Sequence, residues 1–333
     1  MTRAAVVGAG AWGTTFASVL ADAGSDVTLW GRDEAVVRDV QEFGRNERAL
    51  PGLTLAAGIR GTTDAAEALH DASIVAVAVP AQRAREIVAP LRDLIPPDAV
   101  VVSLMKGIEV GSHARMSEVL MDVLGLGRDR VAVVSGPNLA REIALRQPTA
   151  TVVASASHDT AAIVAEATAS GYFRPYTNSD VVGVELSGAY KNVIAVSVGI
   201  ADGLGFGHNT TATVITRGLA EITRLGLALG ARMETFSGLA GMGDLIATCA
   251  SPLSRNHMLG SHIGAGLSLD DAIARTGGTA EGVKTSLSIR ELAVAVGVDV
   301  PICEAVIAML AGDLPLEDVL GTLLSRPRKA EVD

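Results

Sequence analysis

Short apolar segments alternate with longer amphipathic segments through the first half of the chain. The apolar segments are AAVVG, DVTLW, IVAVAVP, AVVVSL, VAVVSG and TATVVAS, at residues 4–8, 26–30, 74–80, 99–104, 131–136 and 149–155. Between most of them lie helix-like segments such as TTFASVLADAG and AQRAREIVAPLRDL. Continuous apolar strands that alternate with helices are typical of a parallel sheet covered on both faces. The pattern therefore predicts an α/β domain with a doubly wound, mostly parallel sheet over residues 1–180.

The pattern changes after YFRPYTNSD, at residues 172–180. From about residue 181 no segment has the features of a strand, and long stretches rich in Ala, Leu, Val and Gly are broken by GLGFGHN, SGLAGMGD and TGGT. We therefore predict an all-α C-terminal domain over residues 181–333. Gly188 and Gly199, inside its first helix, permit a close approach of neighbouring backbone. The final segment from residue 326, RPRKAEVD, has the composition of a frayed end.

Composition restricts the class of protein. The 333 residues are 49% hydrophobic and 19% charged, which fits two well-packed domains. A net charge of -10 and only 3% aromatic residues argue against a nucleic-acid-binding surface. No uninterrupted apolar run reaches the length of about 18 residues that a membrane span requires. The N-terminal stretch from Arg3 has features of a secretion signal, but its glycine spacing and the following VTLW favour a folded start. The chain has only two cysteines, Cys249 and Cys303, which favours a protein of the reducing cytoplasm.

The segment GAGAWG, from Gly8 to Gly13, has the spacing G-x-G-x-x-G between the first predicted strand and the first predicted helix. In a dinucleotide-binding turn Gly8 permits the tight bend, Gly10 lets the backbone approach a pyrophosphate, and Gly13 allows the helix to pack on the strand. The motif therefore predicts a Rossmann-type NAD(P)-binding domain, and a glycine-rich turn without a ligand is the alternative. Trp12, inside the motif, either packs under the turn or lines the cofactor site.

Arg32 and Asp33 follow the second predicted strand, with Asp33 twenty residues beyond Gly13. An acidic residue at this place binds ribose hydroxyls of NAD, whereas an arginine accommodates the 2′-phosphate of NADP. Because both are present, the sequence favours NADP(H) with NAD(H) also accepted. A solvated pair of loop residues is the alternative.

Other candidate ligands follow later strands. Pro80, Lys106 and Gly136 each stand after an apolar segment, where the carboxyl ends of parallel strands meet. Ligands bind at this edge of open α/β sheets, so these independent segments support one site. An exposed loop lysine is the alternative for Lys106.

Lys191 lies in the apolar segment ELSGAYKNVIAV at residues 185–196, and it is one of only four lysines beside 23 arginines. A lysine can titrate when its surroundings lower its pKa, whereas an arginine stays protonated. Reduction of a ketone requires an acid that protonates the carbonyl oxygen, and the Lys191 ammonium fits that role, with Asp244 as a candidate partner. The alternatives are a Lys191 side chain that extends along apolar neighbours to the surface and an Asp244 that caps a helix.

A second cluster of polar residues, Ser254, Arg255 and Asn256, resembles an anion clamp because an arginine fork stands between two hydrogen-bonding side chains. The alternative is that these residues only mark the start of a helix. Glu281, in TAEGVK, is a candidate ligand for ribose hydroxyls in a turn, or faces water. His257 and His262 do not share a helical face, and no cluster has metal-ligand spacing, so we predict no metal.

The chain resembles the bacterial NAD(P)-dependent sn-glycerol-3-phosphate dehydrogenase family. The resemblance runs from about residue 4 to about residue 310 and is carried by GAGAWGTT, LWGRD, MKGIE, SGPNLARE, VELSGAYKNVIAVSVGIADGLGFGHNT, GLAGMGDLIATC, SPLSRN and AEGVKT. It implies reversible reduction of dihydroxyacetone phosphate to sn-glycerol 3-phosphate with NAD(P)H, which supplies phospholipid synthesis. We further expect a cytoplasmic protein that forms a homodimer. Alternatives are a hydroxyacid or ketopantoate-type reductase of the same architecture and a non-catalytic NADP-sensing regulator.

The resemblance also implies residue roles. Lys191 would be the general acid/base, assisted by Asp244. The implied substrate contacts are Lys106, Gly136, Asn138, Lys191, Asp244, Ser254, Arg255 and Asn256. The implied cofactor contacts are Gly8, Gly10, Ala11, Trp12, Gly13, Arg32, Asp33, Lys106, Ala140, Arg255, Thr279 and Glu281. Asn138 stands where the family usually has serine or threonine, and Ala11 where serine is common, so the hydrogen bonds at these two positions differ from the family pattern.

Overall fold

A computed structural model describes residues 2–252, 254–277 and 281–313 of the chain. The first half contains one eight-stranded sheet, with strand order β3-β2-β1-β4-β5-β6-β7-β8. Its strands are β1 (Arg3–Val7), β2 (Asp26–Trp30), β3 (Arg60–Thr62), β4 (Ile74–Val77), β5 (Val100–Ser103), β6 (Val131–Ser135), β7 (Thr149–Ser155) and β8 (Phe173–Asn178). All neighbouring strands are parallel except β6 and β7. The predicted doubly wound, mostly parallel sheet is confirmed.

Helices cover both faces of this sheet, and a core lies on each face. They are α1 (Ala11–Asp22), α2 (Glu34–Phe43), α3 (Ala65–Leu69), α4 (Ala84–Val88), α5 (Met116–Leu124), α6 (Ala140–Ala144) and α7 (His158–Thr168). Short 3-10 turns at Ala81–Arg83 and Ala89–Leu94 flank α4, so AQRAREIVAPLRDL is not one continuous helix. Pro90 contributes to this interruption because its ring lacks the N–H that a helix interior needs.

Two strands, β3 and β8, were not predicted from the pattern, and they are the two edges of the sheet. β3 has only three residues, RGT, and of β8 only Phe173 is buried. β8 also contains Pro175, a residue that sheets tolerate at edges because it donates no ladder hydrogen bond. Edge strands bury fewer side chains than central strands, so their sequences lack the apolar run by which the central strands were recognised.

The second half is helical throughout its described residues, as predicted. Its elements are α8 (Val181–Gly203), α9 (His208–Ala228), α10 (Met233–Ser237), a π-helical turn (Leu239–Gly243), α11 (Asp244–Ala250), α12 (Arg255–Gly264), α13 (Leu269–Arg275), α14 (Glu281–Ala295) and α15 (Pro301–Ala311). Helix α8 occupies the centre of this half, and α9, α11, α12 and α14 pack around it. By length and composition α8 is apolar enough to cross a membrane, but 89% of that stretch is buried inside the protein.

Glycines bring α12 into backbone contact with α8. A Cβ on Gly199 would lie 2.1 Å from the carbonyl oxygen of His257, and a Cβ on Gly260 would lie 2.1 Å from that of Val196. Gly188 faces the sheet instead, where its Cβ would meet Ser135 Oγ at 2.7 Å. The close backbone approach predicted for Gly199 is therefore confirmed, whereas the prediction for Gly188 is wrong, because its neighbours are the side chains of Ser135 and Lys106. As a result, the first turn of α12 lies directly beside the middle of α8.

Candidate active site

The glycine turn between β1 and α1 has the geometry of a dinucleotide cradle. Gly8 has φ +117°, a conformation that favours glycine, and its Cβ would lie 2.4 Å from the carbonyl oxygen of Ala78. A Cβ on Gly13 would lie 2.0 Å from the carbonyl oxygen of Gly8. A Cβ on Gly10 would meet nothing within 4 Å, so space is open at the N-terminus of α1, where backbone N–H groups attract phosphate. The turn therefore fits a pyrophosphate.

Ala11 and Trp12 form the first turn of α1. The Trp12 ring packs edge-on against Phe16, with 5.6 Å between the ring centroids, which supports the packing role for this side chain. Its indole Nε1 is nevertheless a buried donor without a protein acceptor. On the far side of α1, Thr15 donates a hydrogen bond to the carbonyl oxygen of Ala140, which fixes the start of α6 beside the glycine turn.

Arg32 and Asp33 lie at the carboxyl end of β2, as predicted. Arg32 is exposed. The Asp33 carboxylate caps α2, because Oδ1 accepts hydrogen bonds from the backbone of Ala35 at 3.0 Å and of Val36 at 3.4 Å. Arg48 donates to the other oxygen, Oδ2. Asp33 is therefore engaged by the protein itself, a role that the sequence analysis did not assign to it.

Lys191 is buried in α8, with 7% of the residue exposed. Its Nζ donates to Oδ1 of Asp244 at 2.5 Å and to Oγ1 of Thr248 at 2.6 Å. The alternative in which this side chain extends to the surface is therefore wrong. Thr248 was missed by the sequence analysis, although its position four residues after Asp244 places both side chains on one face of a helix.

Asp244 is the first residue of α11 and is 1% exposed. Its second oxygen, Oδ2, accepts a hydrogen bond from Nζ of Lys106 at 2.6 Å, and the same ammonium donates to the carbonyl oxygen of Gly136 at 3.0 Å. Thus Asp244 lies between the two ammonium groups rather than serving as a simple helix cap. Lys106 is likewise not a free loop lysine.

Two ammonium groups around one carboxylate leave this cluster with an excess of positive charge. Burial lowers the pKa of Lys106 to about 8, because desolvation outweighs the attraction of Asp244 and the neighbouring charge of Lys191 acts in the same direction as burial. A cluster of this charge suits an anionic substrate, even in a chain with a net charge of -10.

Of the three clamp candidates, Ser254 caps α12 by accepting a hydrogen bond from the backbone of His257 at 3.3 Å. Asn256 connects two helices, since its Nδ2 donates to Asn192 Oδ1 at 3.0 Å and its Oδ1 accepts from the backbone of Gly282 at 3.0 Å. Arg255 is exposed at the N-terminus of α12. The alternative in which this segment marks the start of a helix is confirmed for Ser254, and the anion clamp stays a prediction.

Asn138 lies after β6, where its Nδ2 donates to Thr151 Oγ1 at 2.9 Å. Its backbone N–H donates to the carbonyl oxygen of Gly136 at 2.7 Å, the acceptor that Lys106 also uses. The side-chain Oδ1 of Asn138 is buried and has no protein donor. The residue is therefore close to the lysine cluster and has one acceptor left for a ligand.

Glu281 is the first residue of α14 rather than part of a turn, and its carboxylate lies near the backbone N–H of Ala81. Burial raises its pKa, against the opposing charges of Arg255, Lys191 and Lys106. Thr279 lies outside the described residues. His257 pairs with Asp202 at 2.7 Å, and the described part of the chain contains no group of three or more His, Cys, Asp or Glu that could hold a metal ion.

The two halves of the chain meet over this region. Ala81 follows β4 and lies next to Glu281 of the helical half. It also lies close to Gly107, since a Cβ added at Gly107 would be 2.6 Å from the Cβ of Ala81. Ala78, three residues earlier, packs under the glycine turn. One continuous edge of the sheet thus carries the glycine turn, Lys106 and the contacts to Asp244 and Glu281. This arrangement defines a two-domain, nucleotide-dependent oxidoreductase.

Comparisons with known proteins agree with this class. Family models for the N-terminus and C-terminus of NAD-dependent glycerol-3-phosphate dehydrogenase match residues 3–161 and 180–321. A curated glycerol-3-phosphate dehydrogenase (NAD(P)+) of Thermobifida fusca is 54% identical over 99% of both chains. The chain belongs to the NAD-dependent glycerol-3-phosphate dehydrogenase family.

Solved structures are similar as well. The crystal structure of glycerol-3-phosphate dehydrogenase from Coxiella burnetii matches with a TM-score of 0.91 and 35% identity, covering 98% of this chain and 99% of that one. A ketopantoate reductase from Ralstonia eutropha has a TM-score of 0.57 at 18% identity, covering 96% of this chain and 100% of that one. The second likeness shows a shared fold alone, so the ketopantoate-type alternative is not favoured.

Proposed function

We propose that the protein reduces dihydroxyacetone phosphate to sn-glycerol 3-phosphate, reversibly, and so supplies the backbone of phospholipids. The observation that carries the proposal is the buried Lys191 ammonium, held by Asp244 and Thr248 beside the cationic side chain of Lys106. NAD(P)H supplies the hydride when bound. The residues of the chain have to orient a ketone, protonate its oxygen and hold a phosphate.

Lys191 is the proton donor in this proposal. As negative charge develops on the carbonyl oxygen of the substrate, its Nζ delivers a proton to that oxygen, and in the reverse direction it removes the proton. Asp244 keeps the ammonium in place through the 2.5 Å hydrogen bond. A second N–H of the ammonium donates to Thr248, so the third N–H is left for the substrate.

Lys106 and Arg255 provide the anion-binding groups. Lys106 is fixed by Asp244 and Gly136, so its charge is present before substrate arrives. The exposed guanidinium of Arg255 has the fork geometry that suits a phosphate, and the N-terminus of α12 adds backbone N–H groups. Asn256 retains one amide hydrogen beyond its bond to Asn192. Gly136, Asn138 and Ser254 complete the proposed substrate contacts.

The proposed cofactor contacts lie along the same edge of the sheet. Gly8, Gly10, Ala11, Trp12 and Gly13 form the cradle at the N-terminus of α1, and Ala140 lies beside it. Arg32 is proposed to contact the adenosine end. Lys106, Arg255 and Glu281 are proposed to contact the cofactor between the two halves, where the charges of Lys106 and Arg255 act on Glu281. Thr279, outside the described residues, remains a prediction from sequence.

The proposal is tested by mixing purified protein with dihydroxyacetone phosphate and following the loss of NADPH and NADH absorbance separately. We expect turnover with dihydroxyacetone phosphate and little with unphosphorylated keto acids, since the cationic cluster would lack its phosphate. Preferential turnover of keto acids would instead favour the hydroxyacid or ketopantoate-type reaction. Nucleotide binding without turnover of any ketone would favour the regulator.

Three further properties are part of the same proposal. We assign residues 1–180 to the nucleotide-binding domain and residues 181–333 to the substrate domain, since β8 ends at Asn178 and α8 begins at Val181. The protein is proposed to act in the cytoplasm, because both cysteines, Cys249 and Cys303, are free and buried. We also propose a homodimer, and sedimentation analysis of the purified protein tests it.

A further inference from the structure

A buried carboxylate of α8 holds the start of α5, a helix of the other half. Glu185, 5% exposed, lies in the second turn of α8. Its Oε1 accepts a hydrogen bond from the backbone N–H of Ser117 at 2.8 Å, and its Oε2 accepts one from Ser117 Oγ at 2.5 Å. Oε2 also accepts a bond from the Arg115 guanidinium at 3.1 Å. A buried carboxylate is costly unless it is paired, and these three bonds all come from the sheet half.

Arg115 is the last residue of the loop that carries Lys106. This loop, residues 104–115, runs from the end of β5 to the start of α5, and we call it the Lys106 loop. Ile108 and Arg115 form an antiparallel bridge across it, and Ile108 is fully buried in the core of the helical half. The loop therefore folds back on itself, so the position of Arg115 helps to fix the backbone two residues after Lys106.

The same face of α8 contacts the loop at its other end. Gly188 and Asn192 follow Glu185 by three and seven residues, so the three residues share one face of the helix. Asn192 Nδ2 donates to the carbonyl oxygen of Lys106 at 3.4 Å, and a Cβ on Gly188 would lie 3.5 Å from Cγ of Lys106. This face of α8 thus contacts both ends of the Lys106 loop.

These contacts form a closed ring around the lysine cluster. Asp244 joins Lys106 to Lys191 at 2.6 Å and 2.5 Å, Lys191 lies in α8, and Glu185 of the same helix joins α8 to the end of the Lys106 loop. The charge of Lys191 acts against the charged form of Lys106, because like charges repel. An attachment of the loop outside the cluster offsets this repulsion, and the bonds of Glu185 supply one.

We propose that Glu185 is a positioning residue, which holds the end of the Lys106 loop on α8 and so keeps the Lys106 ammonium against Asp244 and Gly136, ready for an anionic substrate. The consequence for the substrate rests on the proposed function. The effect on the loop does not, since it is measured without substrate.

Hydrogen exchange of the purified full-length protein, followed by mass spectrometry, tests the effect on the loop. We expect Glu185→Gln to speed amide exchange in the Lys106 loop by about tenfold or more, because a neutral amide does not replace the charge-assisted bond to Arg115. The backbone N–H groups of Glu109 and His113 are the reporters, since both donate to carbonyl oxygens inside the loop at 2.9 Å and 3.0 Å.

Glu221→Gln is the matched control. Glu221 is also buried and also accepts two backbone hydrogen bonds at the start of a helix, from Ile302 and Cys303 of α15, and one from the hydroxyl of Tyr190. These three bonds lie within the helical half. We expect the control to lower the urea midpoint to a similar extent and to leave exchange in the Lys106 loop unchanged. Loop exchange in Glu185→Gln that equals that of the wild type or of the control would overturn the proposal.

Ser117→Ala is a milder variant that decides the matter if Glu185→Gln does not fold. It removes one of the three hydrogen bonds and retains both the buried charge and the backbone N–H. We expect exchange in the Lys106 loop to rise in the same direction but by less. Exchange equal to that of the wild type would count against the positioning role and overturn it.

Kinetics test the consequence for the substrate. In the assay with dihydroxyacetone phosphate, Glu185→Gln should raise KM more than it lowers kcat, because the variant displaces an anion-binding group and leaves Lys191 in α8. A merely structural role would reduce the amount of active protein, and with it kcat, without a change in KM. Glu221→Gln should retain the KM of the wild type. An unchanged KM in an active Glu185→Gln protein would overturn the proposal.

The pH profile of kcat/KM gives a second kinetic readout. Burial lowers the pKa of Lys106 to about 8, and the charged groups acting on it, Asp244 and Lys191, are retained in Glu185→Gln. A displaced Lys106 is better hydrated, so its pKa and the inflection should move upward toward the ordinary value. If no ketone is turned over, the function proposed above fails, yet hydrogen exchange still reports on the loop. The two failures are therefore distinguishable.

Discussion

The ammonium of Lys191 lies 2.5 Å from Oδ1 of Asp244, in the interior of the helical half. A buried charge is costly unless it is paired, and this pair is held from both sides by Thr248 and Lys106. Such an arrangement stabilises a particular orientation of the amine. Proton transfer needs that orientation, because a general acid acts only within hydrogen-bonding distance of the oxygen that it protonates.

Replacing Lys191 by alanine removes the proton donor. We expect Lys191→Ala to lower kcat by about 10²- to 10⁴-fold and to leave the Kd for NADPH nearly unchanged, because the glycine turn is untouched. Steady-state kinetics and fluorescence titration measure the two quantities. Lys284→Ala, at an exposed position of α14, is the matched control. A kcat for Lys191→Ala equal to that of the control would reject the assignment.

Replacing Arg255 by alanine removes the exposed guanidinium at the start of α12. Since the phosphate is held in both ground and transition states, we expect Arg255→Ala to raise KM for dihydroxyacetone phosphate strongly, with a smaller effect on kcat. Arg275→Ala, at the exposed end of α13, should leave KM unchanged. Inorganic phosphate should also inhibit the Arg255→Ala protein less than the wild type. A KM that stays constant would remove Arg255 from the phosphate site.

Lys106 gives the reaction a pH dependence. Because burial lowers its pKa to about 8, the ammonium is charged below that pH and loses its charge as pH rises through it. We expect kcat/KM for dihydroxyacetone phosphate to fall as pH rises through about 8, since this profile reports groups of the free enzyme. Arginine keeps its proton, so the fall should disappear in Lys106→Arg, even if that protein is less active. The same inflection in both proteins would assign it to another group.

The contact between α8 and α12 is sensitive to one methyl group. A Cβ on Gly199 would lie 2.1 Å from the backbone carbonyl oxygen of His257, which has no room to move within a helix. We expect Gly199→Ala to lower the free energy of unfolding by about 1–3 kcal/mol and to weaken substrate binding by shifting Arg255. Urea denaturation measures the first effect. Gly171→Ala, where a Cβ meets nothing within 4 Å, is the control and should have an unchanged midpoint.

Much of this protein could be predicted from the sequence because the signals are local. The central strands are continuous apolar runs, and the Gly8–Gly13 turn is defined by its glycine spacing and by the conformation of Gly8, which glycine adopts readily. The lysine in the middle of an apolar helix also indicated a buried ammonium. The strands β3 and β8 were missed because they are edge strands and carry no continuous apolar run.

By itself, then, the sequence determined the alternation of central strands and helices, the nucleotide turn and the residue types available for proton transfer. Only the tertiary structure decided which groups meet: Asp244 lies between two lysines from different halves, 138 residues from Lys106 and 53 from Lys191. It also decided that Asp33 binds Arg48 and a helix N-terminus. The physical reason is that periodicity fixes which face of an element is buried, whereas the partner of a polar side chain depends on how distant elements pack against each other.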